Sequence, residues 1–93
     1  MKKLTNEELC ALARGGDEEA KRKLLEQNHE FICTKANAFA YLYQRWDVEA
    51  DDLIQVGSFA LYQAIDKFDP ATENAFITYA GTAVLKEIGR AHV

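Results

Sequence analysis

Between Asp51 and Tyr62 the chain places two adjacent acids, an amide and two aromatics at positions 51, 52, 55, 59 and 62. From Asp52 the steps are three, four and three, so in a helix these side chains share one face, beside the apolar row rather than on it. Acids at one end, then Gln55, then Phe59 and Tyr62 would suit a partner helix that offers basic and apolar groups. The same residues admit a plainer reading, in which both aromatics pack under a neighbouring helix and the acids favour a helix start. Spacing alone does not choose between the two. Catalysis by Asp51 and Asp52 fits poorly, because consecutive helical residues point about 100° apart. No histidine, serine nucleophile or glycine-rich phosphate loop stands nearby in sequence.

A second group, Phe76-Ile77-Thr78-Tyr79, is followed by Lys86 and Arg90 at i,i+4 spacing. Aromatics near an exposed helix start can stack unpaired bases, each worth about 1–3 kcal/mol, while lysine and arginine meet phosphate. Periodicity by itself favours core aromatics with a solvated basic pair.

Both groups need helices to hold them, and the chain has the patterning for helices throughout. At 93 residues, 48% hydrophobic and 28% charged, it fits one soluble globular domain with a single core. Thr5 and Glu8 have capping-box spacing ahead of Leu9 and Leu12, which predicts a first short helix over about 7–13. Gly15-Gly16 ends it, and Asp17 caps a long second helix over about 18–43, with Leu24, Leu25, Phe31, Ile32, Ala36, Phe39 and Tyr43 facing inward. Asp47 can cap a third helix over about 48–67, packed through Leu53, Val56, Ala60, Leu61, Ala64, Ile65 and Phe68. Asp69-Pro70 stops it, since the residue before proline is pushed out of the helical region. After a loop over 71–74, a fourth helix over about 75–91 buries Phe76, Ala80, Ala83, Val84 and Ile88. Gly81 and Gly89 in its interior cost about 1 kcal/mol each against alanine, which points to close packing or a weak end. The expected fold is all-α, a bundle of about four helices.

Eleven basic against fifteen acidic residues leave a net charge of −4. That is the wrong sign for holding duplex DNA by phosphate neutralisation alone, so any nucleic-acid contact must be local or assisted by a basic partner. The surplus acid gathers at Asp47, Glu49, Asp51 and Asp52. No apolar run approaches the roughly 18 residues of a membrane span, and Met-Lys-Lys leads into charged helix, so the expected place is the cytoplasm with no membrane partner. Cys10 and Cys33 read as buried thiols rather than a disulfide. His29 and His92 sit near opposite ends with no i,i+4 partner and belong to no metal motif. No metal or cofactor is expected.

The stretches "DDLIQVGSFALYQAIDKFDP" and "AFITYAGTAVLKEIGR" together resemble the second conserved region of bacterial RNA polymerase sigma factors. "DEEAKRKLLEQNHEFI" is similar to the helix that precedes it in that family, so the likeness covers nearly the whole chain. The resemblance implies a non-enzymatic transcription-initiation module. Its third helix would dock on the beta-prime clamp helices of core RNA polymerase, and its fourth would open and contact the promoter minus-ten element, mainly as single-stranded DNA. By carry-over Asp52 and Gln55 meet the clamp helices, with Asp51 and Val56 beside them and Phe59 and Tyr62 along the same face. Phe76, Thr78 and Tyr79 match the melting segment. Lys86, Gly89 and Arg90 face the upstream end of the minus-ten element. An anti-sigma factor is a further partner class that the resemblance brings with it.

Several positions depart from the family. Primary sigma factors carry Trp-Trp where this chain has Thr82-Ala83 at its DNA-facing row, and "VLKEIGR" is closer to the ending of sporulation and general-stress sigma factors. Basic residues common before the melting helix are replaced by Ala71, Thr72, Glu73, Asn74 and Ala75, which implies weaker DNA opening. The departures support a rival reading, a polymerase-binding regulator or split sigma subunit without promoter-opening activity. A helical domain that reads the major groove ranks lower, because only Lys86 and Arg90 supply groove-facing charge. The chain ends at Val93, directly after this region, as an excised domain or a stand-alone protein would.

Overall fold

The computed structural model describes residues 3–71 and 75–91. The helices α1 (Asn6–Arg14), α2 (Glu18–Gln27), α3 (His29–Leu42), α4 (Ala50–Lys67) and α5 (Phe76–Ala91) follow in order, with a 3₁₀ turn at Gln44–Trp46 between α3 and α4. The fold is all-α, and no strand occurs among the described residues. The loop expected over 71–74 falls largely outside the described residues, as does His92.

Local chemistry accounts for the first two helix starts. The Glu8 N–H donates to Thr5 Oγ1 at 3.1 Å and the Thr5 N–H to Glu8 Oε1 at 2.9 Å, a reciprocal capping box that opens α1. Gly16 adopts φ 101°, a left-handed conformation that glycine takes without a Cβ penalty, and so turns the chain out of α1. Asp17 Oδ1 then accepts from the Ala20 N–H at 3.1 Å and opens α2.

Two expectations about the helices are corrected. The long helix over 18–43 is two helices, α2 and α3, interrupted at Asn28. Asn28 is buried, its Nδ2 donates to the Leu24 carbonyl at 2.8 Å and to Asn6 Oδ1 at 2.9 Å, and its backbone leaves the helical region at φ −109°, ψ 8°. A side-chain amide that competes for backbone partners breaks a helix without glycine or proline. Among the described residues the bundle therefore has five α-helices rather than four. Asp47 does not cap the helix after it: it closes the 3₁₀ turn at φ 54°, and Glu49 is the N-cap of α4 without a side-chain bond. Asp51 and Asp52 fill the first turn of α4 instead and oppose its positive end.

The core draws on every helix, with Leu9, Leu24, Ile32, Leu61, Ile65, Phe76, Val84 and Ile88 all essentially sealed. The most extensive helix pair is α4 with α5. Gly57 stands where α3, α4 and α5 meet: a Cβ there would lie 2.9 Å from Ile32 Cγ2 and 3.3 Å from Val84 Cγ1. Of the two glycines of α5, Gly81 packs closely, its Cβ position being 3.2 Å from Phe31 Cζ, whereas Gly89 faces open space. Val56, expected in the core, is half-buried at the margin of the row, and Gly57 takes the central place.

The two cysteines differ. Cys10 is buried, with its Sγ 3.6 Å from the Ile65 carbonyl, and burial pushes its thiol above the ordinary range. Cys33, expected to be buried, is half-buried, and its Sγ lies 3.2 Å from His29 Nε2, one turn back on α3. His29 therefore does have an i,i+4 neighbour, though not a second histidine. Both thiols are free.

Candidate functional site

Helix α4 buries Leu53, Gly57, Ala60, Leu61, Ala64 and Ile65 and turns the opposite arc outward. Asp51, Asp52 and Gln55 are exposed on that arc, Phe59 is 61% exposed and Tyr62 37%. The two aromatics thus do not pack under a neighbouring helix. One flank of the stripe is held by α2, where Lys21 Nζ sits 5.4 Å from the Tyr62 ring centre. Hydrogen bonding to Glu18, and next to Tyr62, holds the Lys21 ammonium above its ordinary range. This cation–π contact fixes the ring while leaving an edge and the neighbouring Phe59 uncovered.

Helix α5 divides the residues that the resemblance places in a melting segment into two groups. Phe76 is fully buried and lies edge-on to Phe68 at 5.4 Å. It opens the row Phe76, Ala80, Val84, Ile88, whose steps of four run down the core side of the helix. Phe76 therefore cannot stack on a base while α5 is folded, which corrects its place among the DNA-contacting residues. Thr78, Tyr79 and Thr82 lie on the exposed side, with Tyr79 39% exposed and tilted against Phe68 at 6.1 Å. The Thr82 hydroxyl donates to the Thr78 carbonyl at 3.1 Å, so its methyl faces outward. Lys86 is exposed, and Arg90 is exposed and paired with Glu87 at 3.1 Å. Gly89 is half-buried.

Two shallow clefts gather the exposed residues. One of about 380 Å³ is lined by Thr78, Tyr79, Thr82, Ala83 and Lys86. The other, of about 250 Å³, runs between α4 and α5 and brings Tyr79, Lys86 and Arg90 beside Lys67 and Gln63. Lys67 is a cation that sequence reasoning missed. It lies 19 residues before Lys86, and only the side-by-side packing of α4 and α5 places the two in one cleft. An aromatic edge, the Thr78 hydroxyl and the cations Lys67, Lys86 and Arg90, the last paired with Glu87 on the same cleft wall, can hold an extended anionic strand across these shallow clefts by stacking and charge. Among the described residues no group of three or more histidine, cysteine, aspartate or glutamate side chains converges as metal ligands would. No helix among them is long and apolar enough to cross a membrane.

Residues 24–92 match the sigma-70 region 2 family, which takes in α3, α4, α5 and the last turn of α2. The chain belongs to that family. It is 32% identical over 83 residues to RNA polymerase sigma-F factor of Bacillus subtilis, covering 89% of this chain and 31% of that protein. It is 37% identical over 87 residues to RNA polymerase sigma factor SigA4 of Synechococcus elongatus, covering 94% of this chain and 26% of the relative. Against RNA polymerase sigma-G factor of Clostridium acetobutylicum the identity is 32% over 83 residues, with 89% and 31% covered. The chain thus spans about a third or less of the length of these relatives. Within the sigma-70 region 2 match, the exposed stripe of α4 and the exposed residues of α5 lie on two helices packed against each other. Helix α1 precedes the matched residues.

Proposed function

We propose that this chain is a transcription-initiation module of the sigma type, which docks on core RNA polymerase through α4 and presents α5 to the promoter minus-ten element. Asp51, Asp52, Gln55, Val56, Phe59 and Tyr62 form the docking face and meet the beta-prime clamp helices. Acids at the start of α4 suit basic groups on the partner, and Phe59 with the free edge of Tyr62 supplies apolar anchorage. Thr78, Tyr79, Thr82, Lys86, Gly89 and Arg90 face the DNA, with Lys67 added from α4. Phe76 acts by holding the first turn of α5 to the core. The work is binding and base capture, with no covalent step. The observation that carries this reading is the exposure of both residue sets on adjoining helices of a chain in the sigma-70 region 2 family.

Retention of the chain on isolated clamp helices tests the docking half. Asp52→Ala and Gln55→Ala combined should weaken it about tenfold or more, because central truncations in an interface cost above about 1 kcal/mol each. Wild-type protein that fails to bind either the clamp helices or core polymerase would refute the docking assignment.

A single-stranded minus-ten oligonucleotide tests the DNA half. Tyr79→Ala should lose about 1–3 kcal/mol of binding, the contribution of one stacked base. With Lys67, Lys86 and Arg90 as the contacting cations, the logarithm of affinity should fall with the logarithm of salt at a slope of about −2.

The second reading, a docking regulator or split sigma subunit that has lost promoter opening, rests on the net charge of −4 and on Thr82-Ala83 in the DNA-facing row. It expects clamp-helix binding with no single-strand binding. The oligonucleotide titration therefore separates the two.

A further inference from the structure

Helix α1 reaches the rest of the bundle where other helices begin or end. Asn6 Oδ1 accepts from Asn28 Nδ2 and from Gln27 Nε2, each at 2.9 Å, at the break between α2 and α3. The Arg14 guanidinium donates to the carbonyl of Phe68, the residue that closes α4. Glu7 Oε2 accepts from the N–H of Phe76, the first residue of α5, at 2.6 Å. Glu7 and Arg14 are seven residues apart, two turns on one face of α1, so they lie about 10 Å apart along its axis. The two ends of the α4–α5 connection are thus held by one helix from outside the family-matched segment.

The bond at Glu7 differs in kind from an ordinary surface contact. The first N–H groups of a helix have no partner within it, and an anionic acceptor there both satisfies one of them and opposes the helix dipole. A carboxylate accepting from a backbone N–H is also among the stronger hydrogen bonds. Here the acceptor comes from 69 residues earlier in the chain. It fixes the turn that carries Thr78 and Tyr79. Phe76, whose amide it holds, packs its ring on Phe68, whose carbonyl Arg14 holds.

We infer that Glu7 and Arg14 are positioning residues for promoter capture: from α1 they set where the first turn of α5 stands relative to the docking helix α4. The inference rests on the DNA-facing reading of α5, and touches neither DNA nor polymerase itself. It predicts a split in which α1 variants change DNA capture and leave docking alone.

The experiment uses the full chain as wild type, Glu7→Ala and Glu7→Gln, with Arg14→Met as an independent second variant. Three quantities are measured well below the melting temperature: amide hydrogen exchange over residues 76–79, affinity for a single-stranded minus-ten oligonucleotide, and affinity for the clamp helices. In Glu7→Ala, exchange should accelerate and oligonucleotide affinity should fall, each about three- to tenfold, the equivalent of losing one helix cap. Clamp-helix affinity should stay within about twofold, as expected for a site that shares no partner with Glu7. Glu7→Gln keeps an acceptor oxygen and should recover most of the oligonucleotide affinity. Arg14→Met should lower oligonucleotide affinity with docking again retained. Unchanged exchange in Glu7→Ala, or faster exchange with unchanged oligonucleotide affinity, would overturn the inference; so would a parallel loss of docking. Should wild type bind no oligonucleotide, the DNA reading of α5 fails, and the exchange data alone decide whether Glu7 sets the helix.

Discussion

Phe76→Ala should lower the stability of the chain by about 3–5 kcal/mol, the range for removing a buried phenylalanine ring. A domain of this size holds only about 5–15 kcal/mol in total. The ring is fully buried, packs edge-on to Phe68 and begins the row that α5 presses into the core. Its loss should abolish clamp-helix and oligonucleotide binding together at temperatures where the variant unfolds. Tyr79, three residues on and 39% exposed, should behave oppositely. Tyr79→Ala keeps the fold and the docking face and loses only single-strand binding. Urea denaturation of both variants, read alongside the two binding assays, checks the contrast. A stable Phe76→Ala that has lost only DNA binding would return Phe76 to the contact surface.

The second large effect is expected at Gly57. An alanine methyl would stand 2.9 Å from Ile32 Cγ2, 3.3 Å from Val84 Cγ1 and 3.5 Å from Ile88 Cδ1. Two terms oppose each other. Alanine gains about 1 kcal/mol in helix propensity over glycine, while overpacking a core typically costs about 1–3 kcal/mol. Overpacking should win, because Ile32 Cγ2 is carried on a β-branched residue whose χ1 is nearly fixed in a helix. Gly57→Ala should be mildly destabilising and Gly57→Val more so, toward about 3 kcal/mol, with two further methyls at the same crossing. For a chain of this length each kcal/mol moves the melting temperature by about 4–8 °C, so thermal denaturation resolves the series. Since α3, α4 and α5 meet at this point, Gly57→Val should also shift α5 against α4, and its binding losses should exceed what unfolding explains.

Much of this was legible beforehand. The helical phase of Leu53, Ala60, Leu61, Ala64 and Ile65 located the buried side of α4, but spacing left Phe59 and Tyr62 open between an exposed stripe and packing under a neighbour, and only the arrangement of the helices exposes them. The Thr5–Glu8 capping box, Gly16 and Asp17 marked their helix ends correctly, because capping chemistry is local to a few residues. The break at Asn28 was not legible, because what stabilises it is the Asn6 amide 22 residues away, and asparagine within a periodic run resembles any polar helix residue. Phe76 has the composition of a stacking residue and the phase of a core one. Phase decides burial, and resemblance had drawn it to the surface. Gly57 passed as one letter of a motif, since a residue without a side chain leaves no mark on an apolar pattern. Lys67 became part of a cleft only through the packing of two helices.

The bonds from α1 to Ile65, Phe68 and Phe76 close loops of 55, 54 and 69 residues. Contacts of such long sequence separation form late, because the entropy of closing the loop comes first, whereas α4 and α5 lie next to each other in the chain and can pair early. On a growing chain α1 can settle early against α2, through Asn6 with Gln27 and Asn28, but its grip on both ends of the α4–α5 connection must wait until Phe76 has been made. The segment synthesised first completes its contacts last.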